Sequence, residues 1–393
     1  MTVDHAAEQE LAAGSAVGQA RPMRPKLHRR FWSGLLAGVA LLGAGCAADA
    51  PQDTLVPEGP AARTIDNLIT PIFGIAAVVF VFVLGGILFV ALKFRARPSD
   101  GDDFPEQVHG NTKLEIGWTV VPAIILAGVS VFTVATVFDL ADADEGAMDV
   151  EVIGQQWWWE YRYDTDGDGE PDIVTANELV IPAGQPVNLE IQSRDVIHSF
   201  WAPALNGKRD AVPGRTHPLT LEADEAGRYL GQCTEYCGLS HGNMRLVVEA
   251  LPADEFDEWL DNQLTDADEP TEAAAEAGLE TFNQFCVSCH QIDGVNEVEE
   301  ADLVAGAAPN LTHLMTRQTF AGSMFELMSD DPECTSPVTP NAEQCLNRPE
   351  LEAWLRNPPA QKPAYAEGRR GMPNLGLSEE QIDDLVAYLT TLD

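Results

Sequence analysis

Basic residues are scarce in this chain of 393 residues. It has 23 lysines and arginines against 62 acidic residues, a formal net charge of −39, and only five of the cations are lysines. Binding to nucleic acid without sequence preference requires clustered cations, so this composition excludes a nucleic-acid partner. Cysteine is also scarce, and seven cysteines in a chain of this length exclude a small disulfide-rich scaffold. A hydrophobic fraction of 45% excludes a mostly disordered acidic protein.

The acidic excess is confined to the last two thirds of the chain. Residues 1–138 carry a net charge of −2, residues 139–271 carry −22, and residues 272–393 carry −15. The length predicts two or three domains. No internal repeat is present, so a repeat architecture is excluded.

Residues 1–46 resemble a secretory leader. A basic stretch precedes an apolar run at 31–45 that is short for a permanent membrane span. The run ends in small residues followed by Cys46, which resembles a lipoprotein processing site where Cys46 becomes the lipidated first residue. Gly43 stands where a branched aliphatic residue is usual, so ordinary cleavage nearby and an uncleaved anchor stay open as alternatives.

Two long uncharged segments, residues 71–92 and 118–138, predict transmembrane helices. Two buried core helices are the alternative. The connection between the segments is basic, whereas few cations flank their other ends, and its cations are Lys93, Arg95, Arg97 and Lys113. The positive-inside rule therefore places the connection in the cytoplasm and the rest of the mature chain outside it.

Residues 149–250 predict a β-sandwich or barrel. Alternating stretches such as 149–153, 178–181 and 187–191 are broken by Pro, Gly and Asn. Residues 253–277 predict an acidic helix and linker. Residues 278–393 predict an all-α domain, whose final helix follows a capping sequence that begins at Ser378.

A dense set of metal-binding side chains lies in the β region. Cysteine, histidine and methionine recur within Cys233-Thr-Glu-Tyr-Cys237-Gly-Leu-Ser-His241-Gly-Asn-Met244, and His198 lies upstream. Thiolate, imidazole and thioether ligands select copper over magnesium or calcium. Two cysteines four residues apart can bridge two copper ions, whereas a mononuclear electron-transfer site uses one. A disulfide between Cys233 and Cys237 and a structural zinc site are the alternatives, and neither requires Met244 or His198.

This segment resembles the dinuclear copper A loop of subunit II of haem–copper cytochrome c oxidases. The two spans and the sequences around residues 154–161, 195–201 and 210–215 share the resemblance. It implies a cupredoxin-like domain in which Cys233 and Cys237 bridge the coppers. It also implies that His198 and Met244 complete one metal, and that His241 and the Glu235 carbonyl complete the other.

The resemblance implies three further roles. The Glu235 carboxylate reaches a magnesium ion at the border with subunit I. Trp157 matches an exposed tryptophan at which electrons arrive from cytochrome c, with strand packing as the alternative for one or more of residues 157–159. Glu115 matches an acid at the mouth of a proton channel into subunit I, with an interfacial charge at a helix end as the alternative.

A second motif, Cys286-Val-Ser-Cys289-His290, is typical of covalent c-type haem attachment. The two thiols form thioether bonds to the haem, and His290 binds the iron. A redox dithiol and half of a zinc site are the alternatives, but no second ligand pair has the spacing for zinc.

The other axial ligand of this haem follows later in the chain. Met372, in Gly371-Met372-Pro373, resembles the axial methionine of small class I cytochromes c, and a methionine ligand raises the haem potential. Pro309 resembles the residue whose carbonyl accepts the proximal histidine N–H. His313 is the alternative ligand, while Met315, Met324 and Met328 are predicted to pack in the core.

Two remaining features have structural explanations. Cys334 and Cys345 bracket an insertion, and an oxidising compartment favours a disulfide between them. The acidic segment at 164–172 resembles the first half of an EF-hand loop, but Thr175 stands where that loop has a bidentate Glu. We therefore expect an acidic hairpin turn, with a calcium site as the alternative.

These features predict a multidomain membrane protein. It comprises a leader (1–46), a two-helix transmembrane hairpin (66–138), a copper domain (139–252), an acidic helix and linker (253–277) and a cytochrome c domain (278–393). The resemblance implies the electron-transfer subunit of a caa-type oxidase in a bacterial plasma membrane, with both soluble domains outside. The implied partners are subunits I and III, membrane lipid, and either a quinol:cytochrome c reductase or soluble cytochrome c as the donor. The alternatives are a subunit of a nitric oxide reductase with copper A, and a copper-binding lipoprotein with a cytochrome module.

Overall fold

The computed structural model describes residues 50–95, 109–141, 143–296, 307–329, 331, 334, 342–365 and 370–393. The predicted leader with Cys46, and Arg97 in the connection between the spans, lie outside these residues. Pro51–Asp393 form one unit. Within it we distinguish a helical hairpin, a β part and a C-terminal helical part.

The hairpin consists of α1 (Pro60–Lys93) and α2 (Thr112–Asp139). Both helices are long and apolar enough to cross a membrane, and the side chains of their most apolar windows are not buried within the chain. Exposed apolar surface of this extent requires lipid or partner subunits to cover it. The two predicted spans are therefore helices, as expected from their composition.

Helix α1 begins eleven residues earlier than its uncharged segment, and this extension contacts the β part. Pro60 occupies the first turn, where its missing N–H costs nothing. Ala62 is buried, its N–H donates to the Leu205 carbonyl at 3.1 Å, and Arg63 pairs with Asp224. The extension thus connects the first span directly to the domain that carries the metal-binding side chains.

The β part is a two-sheet sandwich. One sheet has the order β3-β2-β1-β5-β8, the other β4-β10-β9, and β6 pairs with β7. Strands β1 and β5 run parallel, as do β4 and β10. The strands are β1 (Met148–Gln155), β2 (Trp158–Tyr163), β3 (Ile173–Ala176), β4 (Glu178–Pro182), β5 (Val187–Ser193), β6 (His198–Phe200), β7 (Arg209–Ala211), β8 (His217–Leu221), β9 (Gly227–Gln232) and β10 (Arg245–Leu251).

Aromatic side chains fill the space between the sheets. Trp159, Tyr161 and Tyr163 are fully buried along β1's partner strand β2, and Trp159 meets Phe200 edge to face at 5.6 Å. Helix α3 (Ala253–Gln263) follows β10 and adds Trp259 to the same core. Large buried rings of this kind contribute much of the apolar area that stabilises a domain.

The C-terminal part contains helices and a pair of two-residue strands, β11 (Thr319–Phe320) and β12 (Phe325–Glu326). Its helices are α4 (Ala273–Phe285), α5 (Ala342–Cys345), α6 (Arg348–Arg356), α7 (Pro358–Gln361) and α8 (Glu379–Leu389). Helix α8 has the predicted capping box, in which Ser378 and Gln381 exchange hydrogen bonds. Helices α4 and α8 cross closely at Gly278, where a Cβ would lie 2.1 Å from the Asp384 carbonyl oxygen.

The disulfide expected in the insertion is present. Cys334 and Cys345 are joined, with a Cα–Cα distance of 5.4 Å, and both side chains are buried. The acidic segment at 164–172 forms the turn between β2 and β3. The Asp164 carboxylate accepts the N–H groups of Gly167 and Gly169, so its oxygens are engaged by the turn itself.

Candidate metal centre and haem cavity

Four side chains of the sequence motif converge with His198 on one small volume. The Cys233 and Cys237 sulfurs lie 3.8 Å apart, and the Cys233 sulfur lies 3.9 Å from His198 Nδ1. The Cys237 sulfur lies 3.6 Å from His241 Nδ1 and 3.8 Å from Met244 Sδ. Two thiols, two imidazoles and a thioether at these separations form a soft donor set that fits copper.

Local structure brings these residues together from two places in the chain. His198 begins β6, Cys233 follows β9 directly, and Met244 precedes β10. The Cys233 N–H donates to the Met244 carbonyl at 2.9 Å, which closes the base of the loop. The ligand loop is therefore an extension of the β9–β10 ladder, and the sandwich holds it in place.

The Cys233 sulfur is the more acidic of the two thiols. A hydrogen bond between the two sulfurs favours the thiolate at Cys233, which lowers its pKa to about 4 and raises that of Cys237. The Glu235 carbonyl oxygen lies 3.3 Å from the Cys233 sulfur. The Glu235 side chain is exposed, so its carboxylate lies at the surface of the chain.

Asp195 orients the His198 ring. Its Oδ1 lies 2.8 Å from His198 Nε2, which leaves Nδ1 facing the sulfurs. Burial opposes protonation of His198, but the bonds to Asp195 and Cys233 prevail and raise its pKa. A carboxylate behind a histidine ligand fixes the tautomer and increases the basicity of the ring.

The sequence motif for haem lines a cavity that the C-terminal part forms together with a few residues of the β part, among them Trp157. Cys286, Cys289, His290 and Met372 all line it. His290 Nδ1 lies 2.8 Å from the Pro309 carbonyl oxygen, as the resemblance implied, which leaves Nε2 available. Desolvation of the ring lowers the pKa of His290, so the imidazole is neutral, the form that binds a metal. These residues fit a covalently attached haem.

Met372 is the methionine at this cavity. Met315 and Met328 are buried in the core, and Met324 is half-buried without lining the cavity. His313 Nδ1 lies 2.9 Å from the Asp393 carbonyl, and its Nε2 lies 3.1 Å from the Thr265 carbonyl. Both nitrogens of the alternative ligand are therefore engaged elsewhere.

Trp157 differs from the expectation that it is exposed. Its side chain is 2% exposed because the C-terminal part covers it, with the Tyr365 ring at a centroid distance of 5.3 Å. It lines the same cavity as His290 and Met372. Its Nε1 donates to the Cys237 carbonyl at 3.3 Å. Trp157 thus lies between the haem cavity and the ligand loop.

Glu115 lies in the first turn of α2 and is exposed. Its carboxylate accepts the Asn111 N–H at 3.2 Å, while the Asn111 side chain caps the helix. This reciprocal arrangement accounts for an acid at that position. A role in proton uptake stays a prediction.

Several residues near the site carry no motif and could not be found by pattern. Gln156 Nε2 donates to the Cys237 carbonyl at 2.6 Å. Lys362 donates to the Trp157 carbonyl at 2.6 Å, and Arg370 Nε lies 3.3 Å from Asp195 Oδ2. Of these contacts, those of Lys362 and Arg370 join the two soluble parts, and only the docked structure reveals them.

The docking itself depends on buried hydrogen bonds. The Glu178 carboxylate of the β part accepts the Gln318 N–H at 3.0 Å and the Thr319 hydroxyl at 2.6 Å. The Arg245 N–H donates to the Gly322 carbonyl at 3.0 Å. Two net-acidic parts therefore associate through specific polar contacts, since opposite net charge is not available to them.

Comparison with known proteins agrees with this arrangement along the chain. The family profile described as the transmembrane domain of cytochrome c oxidase subunit II matches residues 55–135. The profile for its periplasmic domain matches residues 168–251, and a cytochrome c profile matches residues 275–393. A solved periplasmic domain of subunit II from Bradyrhizobium japonicum is 27% identical, with 31% of this chain and 96% of that chain covered and a TM-score of 0.28.

Two curated relatives match most of the chain. Cytochrome c oxidase subunit 2 of Alkalihalophilus pseudofirmus is 35% identical over 370 residues, 91% of this chain and 95% of its own. The corresponding protein of Bacillus sp. strain PS3 is 33% identical over 375 residues, 91% of this chain and 96% of its own. Similarity of this extent, together with the three matching profiles, shows that the chain belongs to the cytochrome c oxidase subunit II family, as a membrane-anchored member with a C-terminal cytochrome c domain.

Proposed function

We propose that this chain is the electron-transfer subunit of an aerobic terminal oxidase. It passes electrons from a c-type haem to a dinuclear copper A centre and on to subunit I, where oxygen is reduced to water with proton pumping. The chain performs no bond chemistry itself. The position of Trp157, between the haem cavity and the Cys237 carbonyl, is the single observation that carries this proposal.

The copper pair supplies one-electron redox chemistry when it is bound. Cys233 and Cys237 would hold both ions, His198 and Met244 would complete the ligands of one, and His241 and the Glu235 carbonyl would complete those of the other. The burial of both sulfurs excludes water from them. A rigid site on the β9–β10 ladder changes little between redox states, which favours fast electron transfer.

Cys286 and Cys289 would attach the haem covalently, and His290 and Met372 would bind its iron. The Pro309 carbonyl orients the His290 ring through its 2.8 Å contact with Nδ1. Because both soluble parts belong to one chain, donor and acceptor need no diffusional encounter, and their effective concentration is about millimolar or higher.

We infer that the hairpin lies in lipid of a bacterial plasma membrane, beside subunits I and III, with both soluble parts outside. The exposed Glu235 carboxylate suits a magnesium site at the subunit I border, and Glu115 suits the entrance of a proton channel. A quinol:cytochrome c reductase or a soluble cytochrome c supplies the electrons.

Oxygen uptake by the purified complex tests the function. Reduced cytochrome c should support oxygen consumption, and an electron placed photochemically on the haem should reach the copper pair. Nitric oxide turnover without oxygen consumption would instead establish a nitric oxide reductase. Copper binding without electron transfer to a partner subunit would establish a copper carrier.

A further inference from the structure

One of the five lysines in the chain is buried at the contact between the two soluble parts. Lys362, which follows α7, is 8% exposed. Its ammonium donates to the carbonyl oxygens of Trp157 at 2.6 Å and Ala321 at 2.7 Å. Trp157 belongs to the β part and Ala321 to the helical part, so one ammonium group joins the backbones of both.

Two uncharged carbonyl groups hold this ammonium. Lys362 forms no salt bridge with any carboxylate in the described ranges, and its described partners are two carbonyls. Desolvation lowers its pKa to about 7, with the Cys237 sulfur as the smaller, opposing influence. A buried lysine without a counter-ion is rare in structural roles, because an apolar residue fills the same space at less cost.

The surrounding backbone leaves room for this group. Gly322 has a positive φ of 78°, and a Cβ there would lie 2.4 Å from Lys362 Nζ and 2.9 Å from the Trp157 carbonyl oxygen. A side chain at position 322 would therefore occupy the space between the ammonium and the carbonyl.

Hydrogen bonds hold Trp157 both at its backbone carbonyl and at its indole N–H. Lys362 binds its backbone carbonyl, and the Cys237 carbonyl accepts its indole N–H at 3.3 Å. Tyr365, three residues beyond Lys362, packs against the indole ring. The segment 362–365 thus determines where the indole lies between the haem cavity and the ligand loop.

We propose that Lys362 is a positioning residue for electron transfer, which fixes Trp157 between the haem cavity and the copper loop. The proposal rests on the proposed function and adds a residue that no sequence motif indicates. Small displacements of a group on a reaction path are costly, and about 1 Å can reduce a rate by up to a hundredfold.

The test uses the purified oxidase complex with the full chain. An electron is placed photochemically on the haem, and its arrival is followed in the near-infrared band of the copper pair. Lys362→Met removes both hydrogen bonds, and we expect transfer to slow by about tenfold or more. Lys362→Gln keeps a donor and should slow transfer less. The haem and copper spectra should be unchanged in both variants.

Two control variants separate positioning from loss of charge and from a loosened interface. Lys208→Met removes an exposed lysine of the β part. Ser323→Ala removes another hydrogen bond between the two parts, from Ser323 Oγ to the Asn177 carbonyl at 3.3 Å, which does not involve Trp157. Both should transfer electrons within about twofold of the wild-type rate, a change of less than about 0.5 kcal/mol.

A second readout does not depend on electron transfer. Hydrogen exchange in the purified chain should become faster across residues 155–159 in Lys362→Met, and should stay at the wild-type rate there in Ser323→Ala. Exchange that is unchanged in Lys362→Met would show that the lysine does not hold Trp157, and would overturn the proposal.

The kinetic outcomes distinguish this proposal from the proposed function. A wild-type complex without haem-to-copper transfer overturns the function and the proposal together. Two outcomes in an otherwise normal wild-type complex would overturn the proposal alone. In the first, Lys362→Met transfers electrons at the wild-type rate. In the second, Ser323→Ala is slowed as much as Lys362→Met. If Lys362→Met does not assemble, Lys362→Gln decides, and wild-type transfer with wild-type exchange in that variant overturns the proposal.

Discussion

Asp195 Oδ1 lies 2.8 Å from Nε2 of His198, and the same carboxylate accepts the Gln156 N–H at 2.9 Å. The Asp195 side chain is only 7% exposed, so this carboxylate acts with little competition from water. It connects a proposed copper ligand to the turn formed by Gln156 and Trp157. The carboxylate therefore orients the His198 ring and the backbone beside Trp157 together.

We expect Asp195→Asn to weaken copper binding. The amide keeps the shape of the side chain but removes the charge that increases the basicity of His198. Loss of such a partner lowers metal affinity by about 10- to 100-fold. Competition with a copper chelator measures the change. Asp149→Asn, at an exposed position of β1, is the matched control and should bind copper normally; an unchanged affinity in Asp195→Asn would contradict the orienting role.

Cys233→Ser should abolish the near-infrared band of the mixed-valence copper pair. A bridging thiolate shares the unpaired electron between two ions, and a serine hydroxyl at neutral pH does not replace it. Absorption and electron paramagnetic resonance spectra of the purified chain measure the loss. Leu239→Ala, with an exposed side chain on the same loop, should retain the band. A Cys233→Ser spectrum identical to the wild type would refute the ligand assignment.

Met372→Leu should lower the reduction potential of the haem. A thioether ligand favours the reduced iron, and leucine fills a similar volume without offering a donor atom. A redox titration followed at the haem absorption bands measures the potential. Met324→Leu, whose side chain is half-buried away from the cavity, serves as the control. Equal potentials in wild type and Met372→Leu would place the axial ligand elsewhere.

The ligand set could be predicted because most of it is local in sequence. Cys233 to Met244 lie on one loop, where residue type and spacing specify the chemistry. His198 lies upstream on another strand, so its residue type made it a candidate ligand, and only the resemblance to a known family gave it a place at one of the two metals. Three of the haem residues could be predicted for the same reason, because Cys286, Cys289 and His290 lie within one short motif.

The environment of Trp157 could not be predicted in this way. Its burial depends on Lys362 and Tyr365, more than 200 residues away, and on how the two soluble parts dock. Neither the composition nor the periodicity of the sequence predicts that contact. Both parts carry a negative net charge, which excluded docking by opposite charge. The charges did not indicate the hydrogen bonds to Glu178 through which the parts associate.

The start of α1 was missed for a related reason. Hydropathy detects the uncharged segment from residue 71, whereas the helix begins at Pro60. Arg63 and Asp66 lie within the additional turns, and the ion pair of Arg63 with Asp224 holds this end of the helix on the β part. A membrane criterion based on charge does not detect a helix that extends out of the apolar layer.

Glu249 should make the stability of the chain depend on pH. Its side chain on β10 is buried beside Arg228 and Glu178. Although Arg228 Nε lies 3.3 Å from the carboxylate, burial dominates and raises the pKa of Glu249 to about 8. The folded state therefore holds a proton that the unfolded chain releases near pH 4.5. Stability from this group is fully present below pH 4.5 and is lost as the pH rises to about 8.

Glu249→Gln removes that dependence, because an amide is neutral at every pH in this range. Relative to wild type, we expect the variant to gain about 4 kcal/mol in unfolding free energy between pH 4.5 and pH 8.5. Urea unfolding of the purified chain at both pH values measures the difference. Glu190→Gln, at an exposed position of β5, should show no such gain. Parallel pH profiles for wild type and Glu249→Gln would mean that Glu249 is ionised in the folded protein at neutral pH, with Arg228 outweighing its burial.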